Sequence, residues 1–202
     1  LLDRLFDAPE LLRAAGRFAV STRAEDLGGM TVSVLRGGDG RQRKELDRLI
    51  AFLEETGRPD VVSMTNSLLV GLAPAIRRRL GCRLACSFQG EESFVARFPA
   101  VHREEALGLM RAGAREIDLF LAPGEAYASA MADLLRIPRG RIRVVRAGID
   151  LAPFGEPPRR PDRPFRVGYL SRRSPAKGLD TLVEAFCILA RRGRGDERLA
   201  EA

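Results

Sequence analysis

The chain has 202 residues, of which 45% are hydrophobic and 30% are charged, and its formal net charge at pH 7 is +7. This composition excludes a disordered, collagen-like or fibrous protein, because it provides enough apolar residues for a core and enough charged residues for a solvated surface. No apolar run in the sequence approaches the roughly 18–20 residues that a membrane-spanning helix requires.

The first forty residues are predicted to be helical and loop-like. Residues 1–18 carry apolar side chains at helical spacing. Two glycine groups, at residues 28–29 and 37–40, are expected to break the chain. Residues 46–53 place apolar side chains at i, i+3, i+4 and i+7, which predicts one buried face of a helix.

From residue 61 onward, short apolar runs alternate with helical patterns. Asn66 or Ser67 is expected to cap the first of these helices and Gly81 to end it. Strands separated by helices need crossover connections, which predicts a parallel sheet covered by helices on both faces. The predicted strands span residues 61–64, 83–88, 118–122 and 142–145, and the predicted helices span residues 69–80, 104–114 and 127–135.

A proline-rich stretch then divides the chain. Five prolines between residues 153 and 164 do not suit the interior of a sheet, and they predict an interdomain linker at residues 147–164. Residues 1–146 are therefore predicted to form part of an amino-terminal Rossmann-like domain. Residues 165–202 are predicted to open a second one, with a strand at residues 165–170 and a helix from residue 179.

The loop between that strand and helix carries two cationic residues, Arg172 and Lys177. Loops at the carboxyl ends of parallel strands bind ligands, and a helix amino terminus offers free N–H groups to an anion. Arginine can hold two oxygens at once and lysine adds a mobile charge, so this loop suits a diphosphate. The alternative is that both are solvated loop residues, since the loop matches neither the Walker pattern nor G-x-G-x-x-G.

Residues 144–186 resemble the domain junction and the opening of the second domain in glycosyltransferase family 4, the group 1 glycosyltransferases of GT-B fold. Residues 144–150 are similar to the junction phrase V-x-P-N-G-hydrophobic-D. Residues 171–186 are similar to the phrase G-R-hydrophobic-x-x-E-K-G-hydrophobic-D-x-hydrophobic-hydrophobic-E-A-F. The departures are Ser171 for Gly, Ala176 for Glu, and Arg146-Ala147 for Pro-Asn.

This resemblance implies an α/β fold of GT-B type with two Rossmann-like parallel-sheet domains, here incomplete. It implies that Arg172 and Lys177 bind the donor diphosphate and stabilise it as it leaves, an electrostatic role that needs no metal. It places Gly148 at the hinge. The implied reaction is a retaining, hexosyltransferase-type transfer from a nucleotide-diphosphate sugar to an acceptor hydroxyl, with no cofactor besides that co-substrate and no assigned catalytic residue.

The first domain extends the resemblance. Residues 59–62 look like the family's P-D-V-hydrophobic strand, and residues 87–91 fall where members carry T-x-H-G-x beside the interdomain cleft. Gln89 replaces the family histidine, and because an amide cannot accept a proton, Gln89 and Gly90 are expected to bind the sugar or acceptor. Glu91 is expected to meet acceptor hydroxyls. The alternative is that Gln89 and Gly90 form a strand-to-loop turn and that Glu91 is an exposed carboxylate.

The remaining polar residues show no further motif. His102 is the only histidine, and without a paired nucleophile or acid it is predicted to be a surface or helix-start residue. The odd cysteine number, with no C-x-x-C pair, argues against a zinc site or a disulfide framework and favours a reducing cytoplasm. Because the chain starts at Leu1 and ends in a charged stretch, both ends are expected to be cut and the isolated piece to be inactive.

The positive charge bears on the expected partners. Lys44 and Lys177 are the only lysines among 34 basic residues, which indicates a GC-rich, bacterial genome rather than selection for phosphate binding. We therefore expect no nucleic-acid partner. The expected partners are a nucleotide sugar and a glycan, lipid-linked or small-molecule acceptor, with peripheral association at the inner membrane face. Two alternatives stay open: a nucleotide-sugar epimerase of the same architecture, and a basic binding module without catalysis.

Overall fold

The computed structural model describes residues 27–155, 167–171 and 177–193. The chain divides into two compact units, Leu1–Gly148 and Ile149–Ala202. The helical pattern predicted for residues 1–18 and the phosphate ligand predicted at Arg172 lie outside the described residues. The predicted extent of the proline-rich linker stays a prediction.

The first unit contains a parallel sheet whose four strands follow one another in chain order. The register pairs Met64 with Cys86, Cys86 with Phe120 and Phe120 with Ile142. Each of the four predicted strands is present, and each boundary agrees within one residue, so the α/β assignment is confirmed. The strands are β1 (Val61–Met64), β2 (Arg83–Ser87), β3 (Leu119–Ala122) and β4 (Ile142–Val144).

The two faces of this sheet differ. Leu84, Phe120 and Ile142 point to one face and are at most 1% exposed. Val61 and Leu119 lie on the opposite face, where side chains are exposed or half-buried. The expectation that helices cover both faces is therefore wrong for the described residues. The apolar character of a strand shows that it is part of a core, but it does not show how many faces are covered.

The helices of the first unit pack on the buried face of the sheet. The start of the first helix contradicts the prediction that residues 28–29 break the chain. Helix α1 starts at Gly28, so residues 28–29 do not break the chain there. A Cβ at Gly28 would lie 2.8 Å from Nδ1 of His102, so the glycine permits close packing of α1 against α5. The helices are α1 (Gly28–Leu35), α2 (Arg43–Glu55), α3 (Ala73–Leu80), α4 (Glu91–Val95), α5 (Ala100–Gly113) and α6 (Glu125–Leu135).

The segment between β1 and β2 begins and ends as its sequence predicts. Asn66 accepts a hydrogen bond from the N–H of Leu68 and caps the 3₁₀ helix Ser67–Leu72, which continues directly as α3. Gly81 adopts a left-handed conformation with φ of +67° and ends α3. Ser67 is thereby held at the carboxyl end of β1, beside the residues that form the candidate site.

An ion-pair network closes the amino-terminal end of the sheet. Asp118 directly precedes β3 and accepts the N–H of Leu84 in β2 at 2.7 Å. Its carboxylate also lies 2.8 Å from the Arg77 guanidinium and 3.5 Å from that of Arg83. Burial alone would raise the pKa of Asp118, but the Leu84 N–H and the two arginines lower it below its usual value.

In the second unit, the described residues include one long α-helix, α7 (Leu179–Gly193), which confirms the predicted helix. Val183, Phe186 and Leu189 of α7 are each more than half exposed. Residues 167–170 of the predicted strand form no strand, because a strand exists only through hydrogen bonds to a neighbour, which an apolar run does not provide. Within the described ranges, no helix of either unit has the length and apolarity to cross a bilayer.

Candidate functional site

A cavity of about 530 Å³ opens at the carboxyl ends of three adjacent strands in the first unit. This is the edge at which parallel α/β sheets bind ligands, because the loops there diverge and leave a crevice. The cavity is lined by Ser87, Phe88, Gln89, Leu121, Ala122, Pro123, Val145, Arg146 and Ala147.

The floor of the cavity is held by the sheet itself. The N–H of Phe88 donates to the carbonyl of Leu121, and the N–H of Val145 donates to that of Ala122, both at 2.9 Å. The ring of Phe88 stacks on Phe120 with centroids 4.9 Å apart. These contacts extend the strand ladder by one residue on each side, so the rim residues leave from a fixed backbone.

Two polar side chains stand at the rim. Gln89 is exposed and follows the end of β2 by two residues, and Arg146 is exposed and follows the end of β4 by two residues. Arg146 is the charged residue among those lining the cavity. Its guanidinium has no hydrogen bond or ion pair with any described residue. The cavity therefore offers an amide for a hydroxyl and a positive charge for an anion.

Glu91 lies behind this rim and is only 4% exposed. One carboxylate oxygen accepts the N–H of Ser67 at 2.7 Å and the Ser67 hydroxyl at 3.1 Å. The other oxygen accepts the N–H of Gln89 at 2.6 Å and the Tyr127 hydroxyl at 3.2 Å. Both oxygens are thus occupied by groups of the protein, and the alternative that Glu91 is an exposed carboxylate is wrong.

Tyr127 of α6 completes this cluster. Its hydroxyl accepts the N–H of Gly90 at 2.7 Å and contacts the carboxylates of both Glu91 and Glu92. Burial, followed by the hydrogen bond to Glu92 and the charge of Glu91, raises the pKa of Tyr127 well above its usual value. The phenol therefore remains protonated and serves as a donor, and Gly90 meets it in a left-handed conformation with φ of +93°.

Only some of the residues that were predicted to form the site line this cavity. Gln89 lines the cavity, whereas Gly90 and Glu91 are bonded to Tyr127 and to the segment after β1. Lys177 belongs to the second unit, where its side chain is exposed and its carbonyl accepts the Tyr169 hydroxyl at 3.2 Å. Gly148 is the last residue of the first unit.

Sequence reasoning missed three residues at this end of the sheet. Ser67 entered only as a capping residue and Tyr127 only as part of a helix pattern, although each binds Glu91. Arg146 was noticed only as a departure from the family's proline. The change from an imino acid to a cation at a strand end was the available signal that Arg146 could meet a ligand.

Reactive groups elsewhere in the described residues lack the partners that catalysis needs. Burial, followed by the charge of Glu91, raises the pKa of the Cys86 thiol to about 12, so it stays protonated and unreactive. His102 lies at the start of α5, and its buried Nδ1 has no hydrogen-bond partner in the described part of the chain. The same part of the chain contains no cluster of His, Cys, Asp or Glu suited to a metal ion.

A protein-family model matches a large part of the chain. Residues 24–153 match the model of the family described as Glycosyltransferase Family 4. That range includes the whole sheet and every residue that lines the cavity. No curated protein and no solved structure matches the chain.

Proposed function

This chain belongs to Glycosyltransferase Family 4, and from that premise we propose that it serves the transfer of a sugar from a nucleotide-diphosphate sugar to an acceptor hydroxyl. The observation that carries the proposal is the cavity at the carboxyl ends of β2, β3 and β4, inside the matched residues. The proposed acceptor is a glycan, a lipid-linked molecule or a small molecule, and the proposed class is hexosyltransferase.

Gln89 is proposed to hold a hydroxyl of the sugar or the acceptor. Its side chain is exposed at the cavity rim, and an amide both donates and accepts hydrogen bonds. It does not take up a proton, so its contribution is binding and orientation rather than general base catalysis. Glu91 is not proposed to contact the acceptor, because groups of the protein itself occupy both of its oxygens.

Arg146 is proposed to attract an anionic group into the same cavity. It is the charged residue of the lining, and no described carboxylate neutralises it. A guanidinium presents several N–H donors in one plane, which suits the paired oxygens of a phosphate or a carboxylate.

Arg172 and Lys177 are proposed to bind the departing diphosphate. Two positive charges would offset the negative charge that builds on the leaving group, and this would make a metal ion unnecessary for that step. The loop's resemblance to the family phrase supports this assignment, and so does the exposed side chain of Lys177 just before α7. Retention of configuration is part of the same proposal.

The test uses the full-length protein and isothermal titration with UDP, GDP and ADP. The variants Arg172→Ala and Lys177→Ala should each weaken binding of the preferred nucleotide by about 1.5–3 kcal/mol, the range for hydrogen bonds to charged groups. Unchanged affinity in both variants contradicts the assignment. Release of nucleoside diphosphate from its sugar conjugate, with an inverted or retained anomer read by NMR, then tests the stereochemistry. Interconversion of two nucleotide sugars without transfer would indicate an epimerase.

A further inference from the structure

Glu91 is the one charged residue among the described residues that is more than nine-tenths buried. No described lysine or arginine forms an ion pair with it. A buried carboxylate without a cation is stable only when hydrogen-bond donors replace the water it has lost. Three donors from Ser67 and Gln89 do so, and the Tyr127 hydroxyl, whose single proton is shared with Glu92, lies 3.2 Å from the same carboxylate.

These polar groups come from three separate segments of the chain. Ser67 provides its N–H and hydroxyl just after β1, Gln89 provides its N–H just after β2, and Tyr127 provides its hydroxyl from the helix after β3. One side chain thus joins the segments that leave three neighbouring strands at the same end of the sheet. The N–H of Gln89 is the contact nearest to the cavity.

We propose that Glu91 is a positioning residue, whose carboxylate holds the Gln89 loop in the conformation that receives a substrate hydroxyl and does not itself touch substrate. This inference rests on the proposed function of Gln89. The backbone N–H of Gln89 is bound to Glu91 and the next N–H, of Gly90, is bound to Tyr127. With both N–H groups fixed, the Gln89 side chain leaves the loop from a defined point at the rim.

The discriminating variant is Glu91→Gln, which keeps the shape of the side chain but replaces one acceptor oxygen by an NH₂ donor. That donor would face either Ser67 or Gln89, both of which also donate. Tyr127→Phe is a milder companion, because it keeps the edge-on ring contact with Phe88 and removes only the hydroxyl. Asp118→Asn is the matched control, since Asp118 also accepts a backbone N–H and lies at the opposite end of the same strands.

The first readout is amide hydrogen exchange of the full-length protein without ligand. In Glu91→Gln, the amides of residues 89–90 should exchange at least about tenfold faster, while residues 84–87 of β2 stay protected, because only the loop loses its acceptor. In Asp118→Asn the pattern should be reversed, with faster exchange at Leu84 and no change at residues 89–90. Unchanged exchange at residues 89–90 in Glu91→Gln would overturn the proposal.

The second readout is a double-mutant cycle on the release of nucleoside diphosphate from its sugar conjugate. Glu91→Gln should lower kcat/KM about tenfold, the effect of one lost charged hydrogen bond, while the affinity for the nucleoside diphosphate stays unchanged. In a Gln89→Ala background, the same substitution should lower kcat/KM by less than about twofold, because Glu91 acts through Gln89. An equal loss in both backgrounds would overturn the proposal.

The two readouts also separate this proposal from the proposed function. Failure of the unaltered full-length protein to bind any nucleoside diphosphate, or to act on any nucleotide sugar, would count against the transferase mechanism and against Glu91 as a positioning residue for it. The exchange pattern would then show only whether the carboxylate holds the loop. If Glu91→Gln transferred sugar with an unchanged kcat/KM and bound nucleotide normally, the positioning role alone would be contradicted.

Discussion

Asp118 and Glu91 are carboxylates at opposite ends of the same parallel strands, and each accepts a backbone N–H from a neighbouring segment. Asp118 is also paired with Arg77 and Arg83. Glu91 has no described cation, although Arg146 lies at the same end of the sheet. The carboxylate of Asp118 at the amino-terminal end is therefore neutralised by arginines of the protein, whereas the carboxyl-terminal end leaves a guanidinium available to a ligand.

The ion pairs of Asp118 suit a role in stability, whereas the unpaired Arg146 suits a role in ligand binding. An ion pair that is satisfied within the protein offers little to a ligand, because binding would first have to break it. An unpaired guanidinium at a cavity rim can bind an anion without that loss. The cavity and the unpaired arginine occur together at the carboxyl end, in agreement with the general location of ligands in parallel sheets.

The largest expected effect is on stability, from Glu91→Ala. This variant leaves buried N–H groups of Ser67 and Gln89 without an acceptor, so the free energy of unfolding should fall by about 3 kcal/mol in urea titrations. Glu125→Ala is the control, because Glu125 is an exposed carboxylate whose loss should change stability by no more than about 0.5 kcal/mol. Equal effects of the two variants would remove the distinction between the buried and the exposed carboxylate.

A smaller effect, with a defined pH dependence, is expected from Asp118→Asn. Because the folded-state pKa of Asp118 lies below its usual value of about 3.9, its ionised form contributes stability that is complete above that value. The contribution is lost as the pH falls through the folded-state pKa. Urea titrations should therefore show the wild type more stable by about 2 kcal/mol at pH 7.

Once the pH lies below the folded-state pKa of Asp118, the same two proteins should differ little in stability, because the carboxyl group is then protonated in both states of the wild type. A difference that stays constant as the pH is lowered through the acid unfolding range would show that shape, and not charge, accounts for the role of Asp118.

The smallest expected effect is on ligand binding, from Arg146→Ala. Loss of this charge should weaken pyrophosphate or nucleoside diphosphate binding about tenfold, equivalent to one charged hydrogen bond, and leave stability unchanged. Arg143→Ala is the matched control, because Arg143 is an exposed arginine of β4, the strand that precedes Arg146, and it does not line the cavity. Calorimetry at low and high salt measures both. Equal weakening in the two variants would indicate a general charge effect.

Much of the sheet could be predicted because its signals are local. The apolar runs at β1 to β4, the asparagine cap at Asn66 and the left-handed glycine at Gly81 each act within a few residues. The helix at Gly28 could not be predicted in this way. Glycine indicates a break when only neighbours are considered, but here it permits contact with His102, far along the chain.

The sequence by itself determined the order of strands and helices, the parallel sheet and the resemblance to a glycosyltransferase family. Each of these follows from periodicity or motif spacing, which depend only on residues that are close together in the sequence. Only the tertiary structure decided which face of the sheet is covered and that Glu91 is buried. It also decided that the partners of Glu91 are Ser67 and Tyr127, which lie 24 and 36 residues away in sequence. A sequence names donors and acceptors, but the distances between them are set when strands align side by side and their ends meet at one edge.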